Sequence, residues 1–529
     1  RNTSEDMTIT EATHNGAVPH RKTDSERWRW DMIKVFHWVF LVSGVLYAMW
    51  RLSVSEESAF LAKELPRAFK PSRYGLQRKQ DDTHYGWRTT RSFVTENWKW
   101  LLLHPVLARA TAHFAPSLVP VFYVAYSSLF AASQLSWEVT VAFLCQHALF
   151  YAVSALRIPA LSYVAALVIL LHKVIGGKDV FLYLYEHYGR MCYMVTYVAC
   201  HWNILRCLSY SVDFIRSEKL KPEESRRRWP PYWKTLAYVI YLPTVYLGPL
   251  QNYDDYAAQL DKERPGCTPR EIASAVARLL RSGAHFVLME AMTHYIYSSA
   301  MAGWPWMIEK LDLASVVGFV LAFHFFFYIR YVFTYGFAGA LANAEGIEIP
   351  PHARCIARLN KCSQFWRYFD RGMHLLIRKY FYEPLAGGRK GPGWLVLGTA
   401  MSFAFTWYWH DMEKGDGIWC ALSVLGISFE VFVTEIRKWT PIKNIETRYL
   451  GTADRMREAA ALLGSPHYLL TILACLFHLV DVEVCLTVCR RILLGFPFPL
   501  VPVLAGLYSA CHVASYIKEW EETAKRKQA

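Results

Sequence analysis

Apolar blocks recur along the whole chain, many close to the length of about 20 residues that carries a helix across a bilayer. They lie at 32–50, 117–133, 139–155, 161–174, 180–200, 284–302, 316–335, 394–410, 418–433, 468–488 and 498–517. Shorter or interrupted apolar stretches lie at 98–107, 236–250 and 365–382. Lipid offers no hydrogen bonds to an open backbone, so spanning segments are helices that satisfy their own polar groups. The pattern predicts an all-α polytopic integral membrane protein with about ten transmembrane helices and a few re-entrant or interfacial ones.

Composition agrees. The 529 residues are 53% hydrophobic and 19% charged, and no long Pro/Gly/Ser-rich linker divides them. A basic segment at 1–30, a single multi-span unit at 31–517 and a basic tail at 518–529 are the expected divisions. No small-residue cleavage site follows the first block at the usual distance, so it is expected to be an uncleaved anchor with its N-terminal side in the cytosol.

The net charge of +14 is unevenly spread, with Lys/Arg clusters at 21–34, 216–234, 262–281, 354–390, 437–457 and 518–527. The positive-inside rule puts these segments in the cytosol and explains the charge without a nucleic-acid partner. The short acidic loop 411–416 then faces the lumen, with His410 at the lumenal end of its span. The basic loop 52–91 and the pair Arg490-Arg491 depart from this scheme. The C-terminal Lys525-Arg526-Lys527-Gln528-Ala529 resembles lysine-based signals that retrieve membrane proteins to the endoplasmic reticulum.

Candidate chemistry starts with the imidazole of His410, which ends the apolar run WLVLGTAMSFAFTWYWH. An ionisable group at the edge of a span points to function, although Trp and Tyr belts also wet helix ends. On a helix, Trp366, Asp370 and His374 fall at i, i+4 and i+8 on one face, beside Phe369 and Met373. That face is either an interfacial helix with Asp370 paired to an arginine, or a carboxylate offered to a histidine for general acid/base work. Glu290 and His294, at i and i+4, form a Glu–His hydrogen bond more readily than a metal site, since a third ligand is missing. The twelve cysteines contain no CxxC pair and no evident disulfide framework.

The stretches FWRYFDRGMH and SFAFTWYWHD, with YLPTVYLGPLQNYDDY upstream, resemble the signature of the membrane-bound O-acyltransferase family. The resemblance implies helices packed around a central tunnel, with His410 as the catalytic histidine and Asp370 as its partner. Asp rather than Asn at 370, RCIAR at Arg354–Arg358 and YDDY after Gly248-Pro249 resemble the Hedgehog-modifying branch of the family. That branch implies transfer of palmitate from palmitoyl-CoA to the N-terminal cysteine amino group of a Hedgehog precursor, in the endoplasmic reticulum membrane. It also implies haem b on Cys355 and an acyl-CoA channel bordered by Trp366. Three other readings remain open: O-acylation of a secreted-protein serine or a lysophospholipid, a polytopic transporter, and an inactive scaffold. No internal repeat supports a transporter.

Overall fold

The computed structural model describes residues 24–65, 69–175, 181–227, 229–262, 268–389 and 391–528, and nearly all of them are helical. Most of the basic N-terminal segment, and Ala529 of the tail, lie outside the described residues. Among the described residues, eight helices are long and apolar enough to cross a membrane: Met32–Glu64, Pro116–Leu135, Trp137–Ala155, Pro269–Tyr295, Leu313–Ala344, Lys414–Ile436, Ala453–Leu479 and Leu500–Lys527. Each contains one of the expected apolar blocks in whole or in part. The remaining blocks are helical too, within Pro159–Ile175, Leu182–Lys219 and Pro392–Trp409. The first helix begins at Asp24 and the last runs unbroken to Gln528, so both basic ends continue a helix within the described residues.

One expected block divides. The apolar run 468–488 is broken where Val480 is extended and Asp481 precedes a new helix, Val482–Leu493. Asp is a favoured residue ahead of a helix, and apolar periodicity alone does not register it.

The helix Leu313–Ala344 is apolar on all sides, as a helix surrounded by protein should be. It packs against Asp24–Ser53, Tyr85–Phe114, Pro269–Tyr295 and Ala453–Leu479. Pro392–Trp409, Lys414–Ile436, Ala453–Leu479 and Leu500–Gln528 form a run of neighbours beside it. Leu500–Gln528 also packs on Asp24–Ser53, which closes the bundle. On the outside, Val35, Phe36, Val39 and Leu46 are exposed, the character of a surface meant for lipid.

The stretch 236–250 does not span. It folds into the end of the short helix Tyr232–Val239 and the helix Leu242–Val245, and residues 235–250 are buried throughout. Irregular backbone at that depth is tolerated because protein, not lipid, surrounds it. Tyr241 donates to Glu345 at 2.9 Å, and Tyr238 donates to the Gln251 carbonyl.

Glu290 and His294 do not form the expected side-chain pair. His294 Nδ1 meets the backbone carbonyl of Glu290 at 2.6 Å. The carboxylate is taken by Trp87 Nε1 at 2.6 Å, Gln80 at 3.0 Å and Tyr74 at 3.1 Å. A two-stranded antiparallel ribbon, Phe69–Lys70 with Gln80–Asp81, carries Gln80 to it. Several neutral and cationic donors outbid one imidazole for a buried carboxylate.

Candidate active site

The segment around Asp370 is bent rather than continuous. Cys362–Tyr368 is one helix and Arg371–Ile377 the next, with Asp370 between them at φ −116°, ψ 88°. Asp370 Oδ1 accepts the Met373 N–H at 3.0 Å, which makes the carboxylate the N-cap of the second helix. The single face expected for Trp366, Asp370 and His374 is therefore broken. The bend is held from outside: a Cβ on Gly372 would lie 2.1 Å from the Leu250 carbonyl oxygen, so only glycine allows that approach. The Arg354 N–H also donates to the Tyr368 carbonyl at 3.1 Å.

Asp370 Oδ2 accepts the hydroxyl of Tyr335 at 2.7 Å, rather than the arginine that an interfacial helix would supply. The residue lies outside the eight spanning helices and keeps a partly accessible edge. Burial raises its carboxyl above the ordinary range, against hydrogen bonds from the Met373 N–H, the Tyr335 hydroxyl and the Gly372 N–H that lower it.

His410 sits at the C-terminus of Pro392–Trp409, its N–H donating to the Thr406 carbonyl at 3.0 Å. Asp411 and Met412 follow at φ 63° and 58°, two left-handed residues in a row. Such residues cost roughly 1–2 kcal/mol each outside glycine, so neighbouring contacts must hold them. Tyr197 donates to Asp411 Oδ2 at 3.0 Å, and the Met412 N–H donates to the Trp407 carbonyl at 3.1 Å. This tight turn starts Lys414–Ile436 so that Asp416 Oδ2 lies 3.7 Å from His410 Nδ1. Asp416 Oδ1 lies 2.6 Å from Nδ1 of His478, near the end of Ala453–Leu479.

Among the described residues, His410, Asp416 and His478 are a group whose ligand atoms lie within 4.8 Å of one another. Ligands of one tetrahedral zinc, each about 2.0–2.2 Å from the ion, sit further apart than the 2.6 Å contact between Asp416 and His478. Asp416 and His478 are hydrogen-bonded, and His410 lies within ion-pair distance of the same carboxylate.

Aromatic rings connect the two ends of the site. Trp366 stacks on Trp419 at 4.7 Å, and Trp419 stacks on His478 at 4.1 Å. The His410 ring stands edge-on to His478 at 5.1 Å. On the other side, Phe327 meets His478 at 5.6 Å and stacks on Phe369, the neighbour of Asp370, at 4.8 Å. His410 and Phe369, the chain neighbour of Asp370, are thus linked through the rings of His478 and Phe327. The indole N–H groups of Trp366 and Trp409 are buried without an acceptor among the described residues.

Cys355 is exposed, whereas Cys362, seven residues on, is buried. Tyr328 reaches Cys355 from the helix Leu313–Ala344, two turns before Tyr335 on the same helix. One helix therefore touches both Cys355 and Asp370. The exposed thiol is accessible to an external ligand, whereas Arg358 pairs with Glu521 and Arg354 lies over the Tyr368 ring.

Sequence reasoning missed Tyr335, Asp416, Trp419 and His478. Asp416 had been read only as loop charge, and His478 lay inside an apolar run, where an ionisable residue is itself a signal.

The chain matches the membrane-bound O-acyltransferase family over residues 98–457, which include Cys355, Trp366, Asp370 and His410. It is 29% identical over 316 residues to the mouse (Mus musculus) protein-cysteine N-palmitoyltransferase HHAT, covering 58% of this chain and 63% of that protein. It is 28% identical over 395 residues to the Drosophila melanogaster protein-cysteine N-palmitoyltransferase Rasp, covering 73% of this chain and 75% of that protein. Similarity extends to the membrane-bound O-acyltransferase GUP1 of Saccharomyces cerevisiae, 24% identical over 269 residues and 45% of each chain. The chain spans a little under two thirds of the mouse relative and three quarters of the fly one. With its apolar helices and its match over residues 98–457, this protein belongs to the membrane-bound O-acyltransferase family, polytopic membrane enzymes that transfer acyl groups.

Proposed function

We propose that the protein transfers palmitate from palmitoyl-CoA to the N-terminal cysteine amino group of Hedgehog proteins, in the endoplasmic reticulum membrane. The observation that supports this reading is the aromatic link between His410 and Phe369, the neighbour of Asp370, in a chain similar to two protein-cysteine N-palmitoyltransferases.

The chemistry needs a base for the amine as it attacks the thioester carbonyl. An α-amino group has a pKa of about 8, so it is readily brought to its neutral, nucleophilic form. His410 takes the base role, because both oxygens of Asp370 are already engaged by Tyr335 and the Met373 N–H. Asp370, held in place by those two bonds, keeps the remaining lone pairs of its oxygens for a hydrogen bond from the incoming amine. The C–N bond forms, the C–S bond breaks, and the proton held on His410 goes to the departing CoA sulfur. Trp366, between Phe403 at 4.4 Å and Trp419, borders the acyl channel. Cys355 would hold haem b through its sulfur.

The test is loss of function with retained folding. His410→Ala and Asp370→Ala should each reduce acyl transfer about 10²–10⁴-fold, at wild-type expression and elution volume. Near-normal turnover in both variants would contradict the catalytic assignment.

A further inference from the structure

Asp416 Oδ2 lies 3.7 Å from Nδ1 of His410. We infer that Asp416, anchored by His478, is a positioning residue that orients His410 and stabilises its imidazolium during acyl transfer. This rests on the reading of His410 as the base.

The geometry divides the work of one carboxylate between two rings. Oδ1 meets His478 Nδ1 at 2.6 Å, and Oδ2 faces His410 Nδ1. His478 is itself fixed, stacked on Trp419 at 4.1 Å and edge-on to Phe327 at 5.6 Å. The backbone brings the pair together at a point that admits no side chain: a Cβ on Gly415 would lie 2.5 Å from the Phe477 carbonyl oxygen. Glycine at 415 lets the first turn of Lys414–Ile436 rest on the last turn of Ala453–Leu479, and Asp416 and His478 are the next residues along each.

Side-chain exposures of 26% for His410, 13% for Asp416 and 19% for His478 leave all three largely removed from water. A carboxylate there couples to an imidazole more strongly than it would in water. With Nδ1 toward Asp416, that nitrogen carries the ring proton and Nε2 presents its lone pair. The amine proton moves to Nε2 as the C–N bond forms, and Asp416 faces the resulting cation. The same proton leaves with the CoA sulfur as the C–S bond breaks. Asp416 takes up no proton, and His478 holds it in place.

The test uses the full-length protein in detergent, with palmitoyl-CoA and a Hedgehog N-terminal peptide. Asp416→Asn should lower kcat about 10²-fold or more, with KM for palmitoyl-CoA changed less than about twofold. Its residual rate should persist to lower pH, the acid limb moving down by about one unit, because losing a carboxylate lowers the pKa of the imidazolium. His478→Gln, which can still donate to Asp416, should keep most activity, and His478→Leu should lose it with the same shift of the limb. A wild-type kcat and pH profile in Asp416→Asn would overturn the inference, and so would a loss of kcat with an unmoved limb. If Asp416→Asn fails to fold, the pair His478→Gln and His478→Leu decides by the same readout. Full activity in His410→Ala would instead sink the underlying assignment of the base.

Discussion

Tyr335 holds Asp370 by a hydroxyl-to-carboxylate hydrogen bond of 2.7 Å, linking the central helix Leu313–Ala344 to the bend between two short helices. Gly372 against the Leu250 carbonyl and the cap on Met373 fix the same bend from other directions. The carboxylate is thereby held at three points while an edge of it stays accessible.

Tyr335→Phe should therefore weaken both stability and turnover. Removing one donor from a largely dry carboxylate costs about 1–3 kcal/mol. Thermal unfolding in detergent should fall, and acyl transfer should drop by at least about tenfold. An unchanged melting temperature with full activity would show that Tyr335 does not hold Asp370.

Trp366 should be replaceable by phenylalanine but not by alanine. Its ring contacts to Trp419 and Phe403 are each worth about 0.5–1.5 kcal/mol beyond the area they bury. Trp366→Ala should raise KM for palmitoyl-CoA about tenfold or more, by loss of two such contacts, and Trp366→Phe should stay within a few-fold. Equal kinetics in the two variants would remove Trp366 from the acyl channel.

The purified protein should show a thiolate-haem absorption band that Cys355→Ala abolishes, because the exposed Cys355 sulfur is accessible to iron. A preparation without haem, or a variant with an unaltered band, would reject haem on Cys355.

The helical membrane architecture was legible because lipid imposes one simple rule on sequence, a long apolar run per span. His410 was legible for the same reason, as an ionisable residue where the run ends. Asp370 was legible as a candidate but not in its geometry. Helical spacing put it on a face with Trp366 and His374, whereas the chain bends there because Gly372 must seat the Leu250 carbonyl from a segment about 120 residues upstream. Nothing local records such a contact. Asp416 and His478 were hidden similarly, since they are 62 residues apart and meet only where two helix ends touch at Gly415.

The identity of the acceptor atom is the most direct check. Incubate the purified protein with palmitoyl-CoA and two versions of a Hedgehog N-terminal peptide, one with a free terminal cysteine and one N-acetylated, and locate the added palmitate by fragmentation mass spectrometry. Acetylation turns the nucleophilic lone pair into part of an amide. Palmitate on the terminal nitrogen of the free peptide, with no product from the acetylated one, is the expected result. Palmitate on an internal serine of the acetylated peptide would contradict N-palmitoylation and place the protein among the O-acylating members of the family.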